Sequence, residues 1–432
     1  MLKINVVRKS ANIGITRFTM HRTTLILIGC LTVIVAASAD DAKPSKPKLA
    51  LHVSKAITCA GEPIVNATIL VANGKIEAVG PRAKIAVPPG YTEIDHGDKF
   101  AMPGLVDAHS HVGGTGDINE MVYQTNPELR VLDVIRPNND QLKTAVAGGV
   151  TTITFIPGSG TNMGGWGALM KTGPGKLEDV LIRFPGVLKI AQAGNPERRG
   201  GEVGSGRMGM NHIVREQLRV GMGYVHDWDE YEAGRRKEKP STDLRLEYFK
   251  PLFHRQIPVV VHTQGYQVIM STLRILHDEL NLKVVIDHGC FDSYLLSDEI
   301  KKRGIPVMSG PRGFRYDPAI GRIQGQVAGF ADRGVTALGV NTDAPVVPQE
   351  ELAFQATMAI RYGWNEEAAY RGLTIEPAKA LMIDERVGSL EVGKDADIVI
   401  TTGSILDPRH YVVQVLIDGS VAYDVKKDKR RF

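Results

Sequence analysis

The chain has 432 residues, 43% hydrophobic and 23% charged, with a formal net charge of +4. These are the proportions of an ordinary globular protein with room for one major domain and a smaller one. Its 3 cysteines are too few for a disulfide framework, so stability has to come from a packed core, and its 46 glycines point to many tight connections.

Taken from the N-terminus, Leu25 to Ala37 is an apolar run of 13 residues preceded by Arg17 and Arg22 and closed by Ala37-Ser38-Ala39. That is the layout of a secretory signal peptide, too short for a comfortable membrane span. Residues 1–39 are therefore expected to be removed on export, periplasmic or secreted, with translation starting at Met1 or Met20. A lipid anchor on Cys30 or a retained membrane anchor are the alternatives. The leader holds five Lys/Arg and no acid, so its removal takes the formal charge from +4 to −1. Nothing in that balance calls for nucleic acid. The basic tail Lys426 to Arg431 reads as a solvated terminus.

From residue 40 to 102 the chain reads as strands. Ile64 to Val71 and Ile76 to Gly80 flank Asn73-Gly74, a hairpin signal. The C-terminal piece, 387–432, has the same texture at Asp395 to Ile400 and Val412 to Gly419. Each piece alone has too few strands to bury a core, so the two are expected to meet as one small β-sandwich domain.

The middle, 103–386, alternates apolar runs with helical stretches. Strands are predicted at 104–109, 150–156, 167–171, 186–192, 257–262, 283–288, 304–308 and 336–342, with helices such as Tyr266 to Leu280 and Ser293 to Arg303 between them. Eight such units predict an α/β fold, a (β/α)8 TIM-like barrel, whose chemistry sits at the C-terminal ends of the strands.

Those ends carry a pattern. His109 and His111 follow the run Gly104 to Ala108, and side chains at i and i+2 of a strand point the same way. Converging imidazoles suit a borderline divalent metal such as zinc; two surface histidines are the bland reading of the pair alone. Val259-Val260-Val261 ends in His262, Val284 to Asp287 ends in His288, and Val335 to Asn341 leads to Asp343. His262 and His288 are 26 residues apart, one helix plus one strand, and His288 and Asp343 are 55 apart, two such units. Lys189 lies inside Val187 to Ala191, where a bare ammonium is expensive to bury; it must be deprotonated, paired, modified, or reach the strand end.

With these residues in hand, the chain resembles the amidohydrolase superfamily over nearly everything after the leader. Pro103 to His111 looks like that family's first-strand signature, Glu376 to Leu381 like its late helix, and Val387 to Asp397 like its return to the β-sandwich. A closer resemblance is to its imidazolonepropionase-like and prolidase-like members. The resemblance implies that His109, His111, His262, His288 and Asp343 hold one or two divalent ions, zinc by preference. It further implies that Lys189 matches the strand-four lysine that some members carbamylate, with Lys171 the runner-up. The implied activity is metal-dependent hydrolysis of a C–N bond in a small-molecule substrate, an amide, cyclic amide or dipeptide. In that scheme the metal polarises the carbonyl and lowers the pKa of a water, and Asp343 moves the proton to the leaving nitrogen. An ester or lactone hydrolase, or a metal-binding protein without turnover, are the competing readings. Oligomeric state is left open.

Other features are weaker. Gly158 to Gly165 lacks the spacing of a phosphate loop and reads as a loop near the barrel mouth. Arg312 and Arg315 offer themselves to a substrate carboxylate, though an exposed loop role is the commoner one. His212, His226, His254 and His277 fall outside the strand ends and are not expected to be ligands. Cys290 reads as a small buried thiol, and the insertion from Ala193 to Arg245 carries no legible motif.

Overall fold

The computed structural model describes residues 46–428, apart from 115, 117, 198–202, 312 and 319. The expected leader at 1–39 and Arg312 therefore lie outside the described residues. Among those residues no helix is long and apolar enough to cross a membrane.

The first five strands are β1 (Leu49–Ala56), β2 (Ile64–Ala72), β3 (Lys75–Pro81), β4 (Thr92–Asp95) and β5 (Phe100–Pro103). Next come the barrel strands β6 (Leu105–Ser110), β7 (Val150–Phe155), β8 (Met163–Lys171), β9 (Leu181–Ala191), β10 (Val259–Thr263), β11 (Val284–His288) and β12 (Val307–Ser309). A hairpin of β13 (Phe314–Asp317) and β14 (Arg322–Gly325) precedes the last barrel strand, β15 (Leu338–Val340). The chain closes with β16 (Ile398–Thr401), β17 (Val412–Ile417) and β18 (Ser420–Asp424).

The terminal pieces pair with each other. Their order is β18-β17-β16-β5-β1-β2-β3, with β4 also on β1. Since β5 pairs with both β1 and β16, the ladder is continuous, and hydrogen bonding makes one eight-stranded sheet where a sandwich was expected. Its own core joins Leu51 and Val53 of β1 to Ile398 and Ile400 of β16. The hairpin between β2 and β3 turns at Asn73 and Gly74, both at positive φ (53° and 78°), as the Asn-Gly pair predicts.

The second eight-stranded sheet runs β15-β12-β11-β10-β9-β8-β7-β6. One expectation fails here: β8 is antiparallel to both β7 and β9, so the eight units are not all alike. The connection from Ile156 to Asn162 is too short to hold a crossover helix, and it turns the chain straight back. The strand is also longer than the predicted 167–171. Among the described residues β6 and β15 share no ladder, only a single bridge between Ser110 and Ala344. The predicted helix 266–280 is α-helical over Tyr266–Thr272 and continues as a wider π-type turn over Leu273–Glu279. The insertion after β9 is dominated by a 26-residue helix, Arg207–Glu232.

Period-two alternation sets the inner wall. Val187, Val260, Val285 and Met308 belong to one buried cluster, while Leu188, Val259, Val261, Val284 and Ile286 belong to another. Two residues beyond the valines, on the same face, stand Lys189, His262 and Asp287.

Candidate metal centre at the barrel mouth

Six predicted residues, His109, His111, Lys189, His262, His288 and Asp343, come together at the C-terminal end of the barrel. His109 Nε2 lies 3.2 Å from His111 Nε2, 3.2 Å from Lys189 Nζ and 3.2 Å from Asp343 Oδ1. His111 Nε2 is 3.1 Å from the same Oδ1. The His288 ring centroid is 4.6 Å from that of His109 and 4.3 Å from that of His262. Ligand atoms of His109, His288 and Asp343 lie within 4.8 Å of one another.

The far nitrogen of each ring is tied down. His111 Nδ1 donates to the Ile156 carbonyl (2.9 Å), His288 Nδ1 to the Gly310 carbonyl (2.7 Å), and His109 Nδ1 pairs with Asp287 Oδ2 (2.9 Å). His262 Nδ1 is 3.0 Å from Ser159 Oγ. Fixing Nδ1 as the donor leaves the Nε2 lone pair facing the cluster. The Nε2 atoms of His262 and His288 are buried without a hydrogen-bond partner. Four imidazole nitrogens and a carboxylate therefore face one another, those of His109 and His111 against Asp343 and those of His262 and His288 unpartnered, a donor set that fits a divalent cation once its protons are displaced.

The charge states divide: burial and Lys189 would lower His109, but Asp287 and Asp343 raise it above its ordinary value, whereas His262 and His288 are held neutral. Burial, and then the charges of His288, Lys189 and His109, hold His262 well below its usual range. Burial and His109 push His288 down to about 4. Both rings are thus neutral, as ligands must be. Burial raises the Asp343 carboxyl, but the His109 charge and the hydrogen bonds from His109 and His111 outweigh it and keep Asp343 ionised. Burial lowers the Lys189 ammonium to about 8, against the pull of Asp287 and Asp343.

Backbone conformation contributes. Strand alternation would turn His288 outward after the inward Asp287, but His288 sits at φ 73° and swings back to the cluster. Asp343, three residues past the end of β15, sits at φ 50°. Such conformations are sparsely populated and cluster at functional sites.

Lys171, the runner-up, is corrected. Because β8 runs backwards, its C-terminal end lies at the base of the barrel. There Lys171 Nζ meets Asp397, Asp395 (3.1 Å) and Asp418 (3.5 Å). The reversed strand also explains the Gly158 to Gly165 segment, which leads into the start of β8 at the mouth and brings Ser159 onto His262. His212, His226, His254 and His277 lie on the outer helices or the turns that end them, away from the cluster. Among the described residues neither Cys59 nor Cys290 is in a disulfide.

Two carboxylates beneath the cluster were not anticipated. Asp287 orients His109. Asp107 accepts from the His109 backbone N–H (3.1 Å) at Oδ1, and from Thr342 Oγ1 (2.5 Å) and Gln349 Nε2 (2.7 Å) at Oδ2. Asp107 thereby bridges β6 to the segment after β15, where the ladder is missing. Asp107→Asn is expected to cost about 2–3 kcal/mol in denaturant unfolding, because a fully buried acceptor of several bonds is exchanged for a group that also donates. It should also lower retained metal, measured by elemental analysis. A variant matching the parent chain in both would remove Asp107 from the seam.

Comparison with known proteins follows this geometry. The model of the Amidohydrolase family matches residues 283–428. The crystal structure of an amidohydrolase from Thermotoga maritima MSB8 superposes with a TM-score of 0.79 at 32% identity, covering 87% of this chain and 100% of that one. The chain belongs to the amidohydrolase family. It is a hydrolase of C–N bonds. Amidohydrolase tasK of Hapsidospora irregularis is 25% identical over 82% of this chain, which spans only 40% of that longer protein. The imidazolonepropionase of Thermoplasma acidophilum is 24% identical over 80% of this amidohydrolase chain and 85% of that protein. A prolidase solved with N-methylphosphonate-L-proline shares the fold, with a TM-score of 0.52 at 16% identity over 87% of this chain and 99% of that one.

Proposed function

We propose that this amidohydrolase opens an amide or cyclic amide C–N bond, dipeptides included, at a divalent centre held by His109, His111, His262, His288 and Asp343. The observation that carries the reading is that His109 and His111 Nε2 meet the Asp343 carboxylate while the neighbouring Nε2 atoms of His262 and His288 are buried without a partner. Zinc is the ion such an imidazole-rich donor set favours. A divalent ion there supplies Lewis-acid polarisation of the carbonyl and makes water acidic enough to attack at neutral pH.

The chain's own residues do the rest. Asp343, ionised and with its side chain partly open to solvent (15%), accepts the proton of the attacking water on its carboxylate and returns it to the leaving nitrogen. His109 and His111 hold that carboxylate in place. Lys189 is completely buried, and that burial lowers its ammonium to about 8, which makes the neutral amine more accessible than in an exposed lysine. Its ammonium would lose one proton to give the neutral amine, whose Nζ can add to the carbon of CO2, forming an N–C bond and releasing a second proton, which leaves an anionic oxygen donor beside His109. The open side of Asp343 favours turnover over a purely structural metal site, where all donors would be enclosed.

The test is a panel of N-acyl amino acids, dipeptides, cyclic amides and matched lactones, assayed before and after chelation and after zinc is restored. Amide hydrolysis should fall at least about 100-fold on chelation and return with the metal. Hydrolysis indifferent to the chelator would refute the reading, and turnover confined to lactones would favour the ester-hydrolase alternative.

A further inference from the structure

Beside the metal cluster, on the loops that follow β9, β10 and β11, lies a cavity of about 730 Å³. Gly194 stands between the two. At φ 69° it takes a left-handed conformation that suits glycine, and a Cβ there would meet the Gln264 amide at 2.9 Å and lie 3.8 Å from His262 Nε2. Gly194 lines this cavity and also neighbours His262, so the cavity is the nearest space into which the far end of a substrate held at the cluster could reach.

The charges on its wall are not equivalent. Glu197 is matched by Arg207 at 3.0 Å. Asp292 accepts the backbone N–H of Tyr266 at 2.9 Å. Arg315 is half-buried, its guanidinium 5.6 Å from the centroid of the Phe291 ring, and among the described residues its Nε reaches the Tyr316 carbonyl at 3.4 Å. Among the described residues no carboxylate lies within ion-pair distance of it. Cross-strand pairing of Arg315 with Gln324 in the β13–β14 hairpin fixes the side of the hairpin it occupies, and its guanidinium lies within cation–π distance of the Phe291 ring.

We propose that this cavity receives the acid end of the substrate, with Arg315 as the residue that recognises its carboxylate and Phe291 and Leu295 as the apolar wall beside it. A guanidinium presents a planar fork that matches a planar carboxylate. With Glu197 matched by Arg207, Arg315 faces Asp292 as the other charge on the wall, a balance that suits a singly charged acid better than a doubly charged phosphate. This deepens the hydrolase reading and rests on it: the substrate class becomes an amide that carries a free carboxylate next to an apolar or aromatic group.

Binding and turnover are tested separately. The probes are 3-phenylpropanoate and its neutral counterpart 3-phenylpropanol, neither of which has a bond to hydrolyse, titrated by calorimetry into the metal-loaded protein. The acid should bind about 10- to 100-fold more tightly than the alcohol. That preference should vanish in Arg315→Gln and be partly kept in Arg315→Lys, with thermal melts verifying that both variants fold. Equal binding of the two probes to the parent chain, no binding of either, or a preference that survives Arg315→Gln overturns the proposal. Hydrolysis of L-alanyl-L-phenylalanine against its C-terminal amide is measured in parallel. Turnover of both at equal efficiency refutes acid recognition and spares the hydrolase reading. An Arg315-dependent preference without any turnover refutes the hydrolase reading and spares the anion site.

Discussion

Asp343→Asn should lower kcat for amide hydrolysis by about 10²- to 10⁴-fold, the usual worth of a general acid–base group. Asparagine is the informative replacement. It keeps the shape of the side chain and tolerates the left-handed backbone at φ 50°, so the loop after β15 has no reason to rearrange. What it removes is the negative charge that the His109 and His111 interactions hold ionised, and with it the ability to take a proton from water. Metal content, measured alongside, separates loss of the proton acceptor from loss of the ion. A variant with metal bound and kcat within tenfold of the parent chain would move the proton transfer to another group.

Lys171→Met should be the most destabilising single change away from the site. Lys171 is buried, and its partners Asp395 and Asp397 are buried with it, so removing the cation leaves carboxylates with no solvent to take them up. Breaking a buried ion pair from one side costs about 3–5 kcal/mol, read by denaturant unfolding. Lys75 at 2.6 Å and Arg386 at 2.8 Å from Asp395 soften the loss at that residue but do not reach Asp397 in the same way. The pH dependence carries a sign. Burial alone would raise the Asp395 carboxyl, but Lys171 and Lys75 bring it down to about 2, from an ordinary 3.8. Its contribution to stability is therefore complete above about 3.8 and lost as the pH falls toward about 2. Without Lys171 the Asp395 carboxyl rises, and acid unfolding should begin at a higher pH. An acid limb unchanged in the variant would show that the cluster does not couple to folding.

The barrel and the histidines at its rim were legible because both rest on short-range regularities. An apolar run ending in His262 or His288 states its own strand end, and a spacing of 26 residues states the unit between them. The direction of β8 was not legible, because Gly167 to Lys171 reads as a strand in either sense. Only the seven residues available between Phe155 and Met163 hint that no helix intervenes. Lys171 was misplaced for that reason, its acidic partners lying more than 220 residues away in sequence. Asp107 and Asp287 were missed although a signal was present. Each is a charge inside an apolar strand, the same anomaly that singled out Lys189, and the same question about its buried partner would have found both.

The reversed strand also bears on how the barrel assembles. A parallel pair must close a long crossover before its first hydrogen bond forms, and each closure costs chain entropy. β7, β8 and β9 are joined by turns of seven and nine residues, the second holding one short helical turn, and they pair as a meander. This run is the one part of the wall that can form from neighbouring chain alone, and it brings Lys189 beside the future mouth before His262 or His288 has a strand to stand on. Assembly then becomes directional: a local nucleus of three strands, to which the distant parallel strands are added one crossover at a time.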